Sequence, residues 1–464
     1  MNNRFIHYMP YWEDIKTVLK FSTPIFLSRL IGLSGGLVSM LFIAQLGSKE
    51  MAAGAIISSM YNTLIMLLWG FLFPVSAIIA KNYGATKNEL VGIVFRQGLI
   101  LSTIICFPAG ILFYFLPSIL SFLWQPVELI NLINQYFQGI FLGILPNMWL
   151  CVINHFLNGI FRPFIVTVAT LLNTICTISL SYILLFGNLG FPKLGISGVS
   201  YAISIVYWLQ LFCILPYLFF SKTFDGFYLF KNVKNDGLVF LNKIFQMGWP
   251  ISLQYGAELG AFMALTFMMG FFGTHVLAAQ QISLQSNIFA IIVPVALSQS
   301  ATILTGNFWG RKHIAAARKY GFLNIGIGLI LSFIISLFFI LAPEKIINLY
   351  LDVNDPNRFK IEPLATTLLS IAAITLIFDC ARNIAIGALR GFQDTKVPTI
   401  VGVIACWGIG VPSSWILLHI FHDPVIIRIG FCFGIACGAV YLIKRLSNIE
   451  YILSNKKEFI AYEY

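Results

Sequence analysis

The chain has 464 residues, of which 58% are hydrophobic and only 10% charged, against about 25% charged in an average soluble domain. With a mean hydropathy of +0.86, this excludes a water-soluble globular protein and indicates a polytopic membrane protein. The formal net charge of +11 suggests a nucleic-acid binder only until the basic residues are placed, because they are sorted by loop rather than gathered in one patch.

Residues 1 to 14 hold charges and aromatics but no cleavable signal pattern, so the first apolar run is read as a retained span. Twelve apolar runs follow one another, near 16–43, 52–80, 92–116, 134–158, 164–187, 196–220, 247–271, 277–306, 320–342, 364–389, 397–420 and 425–443. Each is long enough to cross a bilayer, which takes about 20 residues. An even number puts both termini on one side. With the termini cytoplasmic, inner loops and tails hold 21 of the 29 basic residues, among them Lys81, Lys87, Arg96, Lys231, Lys234, Arg311 and Lys312. The outer loops hold six (Lys49, Lys193, Lys345, Arg358, Lys360, Arg428), and Arg29 and Arg382 fall inside spans. This positive-inside bias predicts a multi-pass protein of the plasma (inner) membrane, in contact with lipid and with no nucleic-acid partner. Eight cysteines, none in a CxxC pair, lie mostly in apolar runs as small packing hydrophobes.

The longest inner connection divides the spans six and six and prompts a search for a repeat. A shift of 226 residues superposes Pro24 on Pro250, Gly47 on Gly273, Ala52-Ala53 on Ala278-Ala279 and Tyr83-Gly84 on Trp309-Gly310. A shift of 232 superposes Leu157 and Gly159 on Leu389 and Gly391, the six extra residues fitting the outer loop around Pro343 to Pro363. Six spans per half make the halves parallel repeats. The expected fold is therefore an all-α integral membrane protein, with twelve transmembrane helices in two pseudo-symmetric six-helix bundles around a central cavity. Its domains are an N-terminal lobe (1–220), a cytoplasmic linker (221–246), a C-terminal lobe (247–446) and a cytoplasmic tail (447–464).

Of 18 acidic residues only Glu258 in the seventh span and Asp379 in the tenth lie well inside predicted spans. An acid at the bilayer centre costs roughly 2.5–3.5 kcal/mol on insertion scales, so such groups mark ion or substrate paths. Glu258 and Asp379 are the candidate ion-coupling and substrate pair, able to hold a proton, a sodium ion or a cationic drug. Arg382, three residues after Asp379 and on the same helical face, can instead neutralise it as a buried salt bridge. Arg29 can pair across helices, snorkel or face water. Pro24 and Pro250 kink the first spans of the two halves, as hinges or as static bends. Asn62, Asn154, His155, Asn158, Asn173, Gln280, Gln281, Gln285 and Asn287 are polar span positions that hydrogen-bond between helices or line a cavity; Gln285 and Asn173 are taken as candidate modulators with Arg382 and Arg29. The 43 phenylalanines face lipid or line a cavity that stacks flat cations. No metal cluster, P-loop or Gly-x-Ser-x-Gly elbow is found, so neither an enzyme nor a nucleotide-driven pump is expected, and energy must come from an ion gradient.

Twelve spans in parallel halves, Pro24 and Pro250 opening them, Tyr83-Gly84-Ala85, Trp309-Gly310, Leu157-Asn158-Gly159 and the run Ala388-Leu389-Arg390-Gly391-Phe392-Gln393-Asp394-Thr395-Lys396 resemble the multidrug and toxic compound extrusion (MATE) family, in its NorM-like branch. The resemblance covers nearly the whole chain. It implies secondary active efflux of cationic and aromatic organic compounds in exchange for sodium ions or protons. It also implies that Glu258 and Asp379 form the C-lobe cation site, and that Asn173 occupies a family position. The sequence departs from the family at Ser39, where many bacterial members carry Asp, and at Thr375, often aromatic in that branch. No cofactor is expected beyond the coupling ion, and a monomer is the expected state. The alternative within the superfamily is a lipid-linked oligosaccharide flippase, towards which Arg29 and Arg382 lean.

Overall fold

The computed structural model describes residues 12–122, 126–230, 238–352 and 356–455. The N-terminal stretch before Trp12, Lys231 and Lys234 of the linker and the tail beyond 455 lie outside the described residues. Among the described residues the secondary structure is helical throughout. The helices are α1 (Trp12–Ala44), α2 (Ser48–Leu72), α3 (Pro74–Gly84), α4 (Asn88–Phe122), α5 (Val127–Gly159), α6 (Pro163–Phe186), α7 (Ile196–Phe220), α8 (Val239–Gly270), α9 (Thr274–Ala290), α10 (Ile292–Gly310), α11 (Ile314–Leu341), α12 (Pro343–Ile347), α13 (Arg358–Gly391), α14 (Lys396–Val403), α15 (Val411–Phe421), α16 (Pro424–Ser447) and α17 (Ile449–Asn455). A π-helical segment, Ile404–Gly410, joins α14 to α15.

Among the described residues eleven spans are long and apolar enough to cross a membrane: α1, α2 with α3, α4, α5, α6, α7, α9 with α10, α11, α13, α14 through α15, and α16. Helix α8, the seventh expected span, is 32 residues long, but Gln254, Tyr255 and Glu258 dilute its apolar character. Each expected run thus corresponds to one helix or one interrupted helix. The interruption between α2 and α3 falls where Pro74 removes a backbone donor.

The chain divides into two compact units, one of Met1–Phe26 with Leu253–Tyr464 (the C-unit) and one of Leu27–Ser252 (the N-unit). Helices α1 and α8 each change membership two residues after their proline, Pro24 or Pro250. In the N-unit, α5 is the central helix, packing on α2, α3, α4, α6 and α7; in the C-unit, α13 packs on α9, α10, α11 and α16. The start of α8 is held in the N-unit by close backbone approach. A Cβ on Gly70 would sit 2.7 Å from Ser252 Cα, and Ser252 Oγ donates to Leu67 O at 2.8 Å. The linker is partly structured there too, Phe224 and Phe227 of a 3-10 turn (Lys222–Phe227) being buried with their rings on Phe156. In the C-unit, Asp14 at the start of α1 accepts from Lys319 Nζ (2.7 Å) and Tyr320 Oη (2.8 Å).

The repeat recurs at the level of the backbone. Gly47 and Gly273 both take positive φ, 149° and 102°. Among the left-handed residues that are not glycine, two pairs at helix ends match across the repeat: Thr86 (59°) and Lys312 (65°), 226 apart, and Phe161 (63°) and Gln393 (58°), 232 apart. Each closes its helix with the same pair of hydrogen bonds, as Thr86 N–H to Tyr83 O and Lys87 N–H to Asn82 O show for the first. The matched glycines also serve the same purpose. A Cβ on Gly159 would meet Ile79 and Ser76 O of α3, and one on Gly391 would meet Thr305 and Thr302 O of α10; these partners are again 226 apart. Glycine lets the central helix of each unit close onto its neighbour at that point.

Candidate functional site

The two intramembrane carboxylates meet in the C-unit. Glu258 projects from α8 and Asp379 from α13, each with a side chain 16% exposed, and Arg382 of α13, 3% exposed, lies between them. Its guanidinium donates through Nη1 to Glu258 Oε1 (2.8 Å) and through Nη2 and Nε to Asp379 Oδ1 (2.7 and 3.1 Å). The planar fork of arginine suits this two-sided grip. Neighbours one turn away along each helix complete it. Gln254 Nε2 donates to Glu258 Oε1 at 3.0 Å, and Asn383 Nδ2 donates to Asp379 Oδ2 at 3.0 Å. Further along, Arg390 Nη2 donates to Gln254 Oε1 at 3.2 Å, and its guanidinium carbon lies 5.6 Å from the Tyr255 ring centre.

Two features of the surrounding helices hold this cluster. The π-helical segment presents Trp407, whose Nε1 donates to Ala257 O at 2.8 Å, beside Glu258. On α16, Gly438 lacks the Cβ that would approach Ala405 (2.9 Å) and the Arg382 stem at Cδ (3.6 Å). A single extra turn residue in a helix is a frequent device at functional sites.

Beside Asp379 lies a cavity of about 20 Å³, lined by Asn287, Thr375, Asp379, Arg428 and apolar side chains including Phe262 and Phe431. It has room for one water. Asn287 Oδ1 is buried without a protein partner. Arg428 is 3% exposed and donates to Gln280 Oε1 (3.1 Å) and Ser283 Oγ (3.3 Å). Reading Arg428 as an outer-loop charge is therefore corrected: it is a buried residue on the second turn of α16.

The other expected positions are dispersed. Thr375 lines the cavity and donates back to Ile371 O at 2.8 Å. Gln285 is on the exposed face of α9, while Gln280 of the same helix is fully buried. Arg29 and Asn173 belong to the N-unit, where Asn173 Nδ2 donates to Gln210 Oε1 at 2.7 Å and Ser39 Oγ donates to Gly35 O at 2.9 Å. His155 is 4% exposed, edge-on to Phe73 with ring centres 5.1 Å apart, and its Nδ1 has no partner. Sequence reasoning missed Gln254, Asn383, Arg390 and Arg428 as parts of the C-unit cluster. The first two were findable, since each is four residues from its carboxylate and therefore on the same helical face.

The MatE family model matches residues 24–183 and 250–416. A relative from Synechocystis sp., a probable multidrug resistance protein NorM, is 27% identical over 94% of this chain and 95% of its own length. The multidrug resistance protein NorM of Burkholderia vietnamiensis is 29% identical over 90% of each chain. The crystal structure of the eukaryotic MATE transporter AtDTX14 superposes with a TM-score of 0.83 at 17% identity, covering 96% of this chain and 97% of the other, a likeness of fold. The matched segments make up most of the chain and coincide with the two internal repeats, so the protein belongs to the MatE family and is a multi-pass membrane transporter, not an enzyme.

Proposed function

We propose that this transporter is a secondary active multidrug efflux antiporter that exchanges sodium ions or protons for cationic or aromatic organic compounds, with Glu258 and Asp379 as the coupling pair. The observation that carries the reading is the convergence of two carboxylates from different helices on one guanidinium, Glu258 and Arg382 being 124 residues apart in sequence. Charged groups held in apolar helices at this cost mark ion and substrate paths. The multidrug resistance names of the relatives support the substrate class. Cation binding and drug binding then act on the same charge cluster, or bias the same two-state element. Pro24 and Pro250, each two residues before its helix changes unit, are placed to act as hinges. The proposed setting is the plasma (inner) membrane with both termini cytoplasmic and the protein a monomer.

Glu258→Gln tests the assignment. It is expected to abolish resistance to ethidium-like or fluoroquinolone-like drugs while the protein still inserts in the membrane. Unimpaired efflux by that variant in vesicles rejects it. A second reading, transport of an anionic cargo such as a lipid-linked oligosaccharide, is favoured by one observation: Arg382, Arg390 and Arg428 outnumber Glu258 and Asp379 in the C-unit. Accumulation of a lipid-linked intermediate in a deletion strain whose drug sensitivity is unchanged would select it.

A further inference from the structure

We propose that Arg382 is the resident cation of the Glu258–Asp379 pair and that it shuts sodium out, making it the residue that sets ion selectivity. The inference rests on the coupling role proposed for the two acids but concerns a different residue. Three observations carry it. First, the guanidinium occupies the position that a shared metal cation would need, with Nη1 on Glu258 Oε1 and Nη2 on Asp379 Oδ1 at 2.8 and 2.7 Å. Sodium requires several oxygen ligands around one point. Here Glu258 Oε1 already accepts from Arg382 and Gln254, and both Asp379 oxygens are engaged, by Arg382 and Asn383. An arginine in a protein does not deprotonate, so this cation is permanent.

Second, the point where the two acids converge already carries a positive charge. Glu258 and Asp379 supply two negative charges. Arg382, bonded to both, supplies a permanent positive charge where they converge. A sodium ion entering between them meets the guanidinium's charge at close range in a medium of low dielectric, where repulsion is strong. Third, the arginine's path is built in. Its stem passes Gly438 with Cδ 3.6 Å from the position of a Cβ there, so the glycine of α16 leaves room for it. The guanidinium is held by the two acids. Removing it should leave a dicarboxylate facing neutral amides, Gln254 and Asn383, whose oxygens are suitable hard ligands.

The test is sodium binding by the full-length protein purified in detergent, using radioactive sodium and thermal melts in sodium chloride against choline chloride at equal ionic strength. Wild type is expected to bind no sodium saturably and to melt at the same temperature in both salts. Arg382→Gln is expected to bind sodium saturably and to melt several degrees higher in sodium chloride. Arg382→Lys, which keeps the charge, is expected to exclude sodium as wild type does. Saturable sodium binding by wild type overturns the proposal, as does an Arg382→Gln variant that folds and remains indifferent to sodium. If Arg382→Gln cannot be purified, the wild-type and Arg382→Lys arms decide: sodium binding by either contradicts resident-cation exclusion, and its absence from both supports it. No arm depends on transport, so this result is separate from the efflux assay on Glu258→Gln.

Discussion

The two units share a scaffold and differ in charge. At a shift of 232 residues, Asp379 corresponds to Asn147, Arg382 to Leu150 and Arg390 to Asn158; at 226, Glu258 corresponds to Gly32 and Asn287 to Tyr61. The turns and the glycine contacts described above are common to both. What replaces the ionic cluster in the N-unit is a neutral network. Asn147 Oδ1 accepts from Trp69 Nε1 at 3.0 Å, and its Nδ2 donates to Tyr61 Oη at 3.4 Å. Where Tyr61 reaches Asn147, the shorter Asn287 leaves the small cavity beside Asp379. The packing is common to both units; the chemistry differs on the central helix, where Asn147 and Leu150, both buried, stand against Asp379 and the buried Arg382.

The sharpest way to break this comparison is to delete the charge that has no counterpart. Arg382→Met leaves two buried carboxylates uncompensated and is expected to cost about 3–5 kcal/mol of stability, read as a large fall in melting temperature in detergent. Leu150→Met at the matching position is expected to cost under about 1.5 kcal/mol. Equal losses would mean that the guanidinium is incidental to the C-unit.

The shared scaffold is tested at the matched glycines. In Gly391→Ala the new Cβ is driven against Thr305 Oγ1 and lies 2.6 Å from Thr302 O, whereas in Gly159→Ala it lies 2.6 Å from Ile79 Cγ2, the end of a side chain that can turn. Overpacking of this kind costs about 1–3 kcal/mol, with Gly391→Ala at the upper end and Gly159→Ala at the lower. Thermal melts of the two variants check the order. The smallest effect is expected at the left-handed caps. Lys312→Gly and Thr86→Gly relieve an unfavourable φ of 65° and 59°, for a gain of at most about 1 kcal/mol, partly offset by the entropy of glycine. A loss of stability in either would show that the side chain contributes more than the strain costs.

Much of this was legible in the sequence because the signals were of one kind. Long apolar runs and the matched Pro24/Pro250 and Gly159/Gly391 report backbone requirements, and backbone requirements recur at fixed spacing. The acids stood out because a carboxylate in an apolar run is expensive. Arg382 was legible as a partner of Asp379, three residues away, but not of Glu258, since nothing in sequence says which helix α8 faces. Arg428 was misread because a basic residue near the end of an apolar run is ordinarily a loop charge. Only packing against Gln280 and Ser283 reveals that it is buried. The cavity beside Asp379 was out of reach for the same reason: it is the absence of bulk at Asn287, visible only against Tyr61 in the other unit.

The most direct measurement is drug transport by proteoliposomes under an imposed cation gradient, comparing Asp379→Asn with Asn147→Ala. If ion coupling resides in the C-unit, Asp379→Asn loses gradient-driven ethidium transport. Asn147→Ala keeps it, even though an orphaned Trp69 indole costs about 1–3 kcal/mol of stability. Transport that survives in Asp379→Asn and fails in folded Asn147→Ala would place coupling in the N-unit and contradict the account.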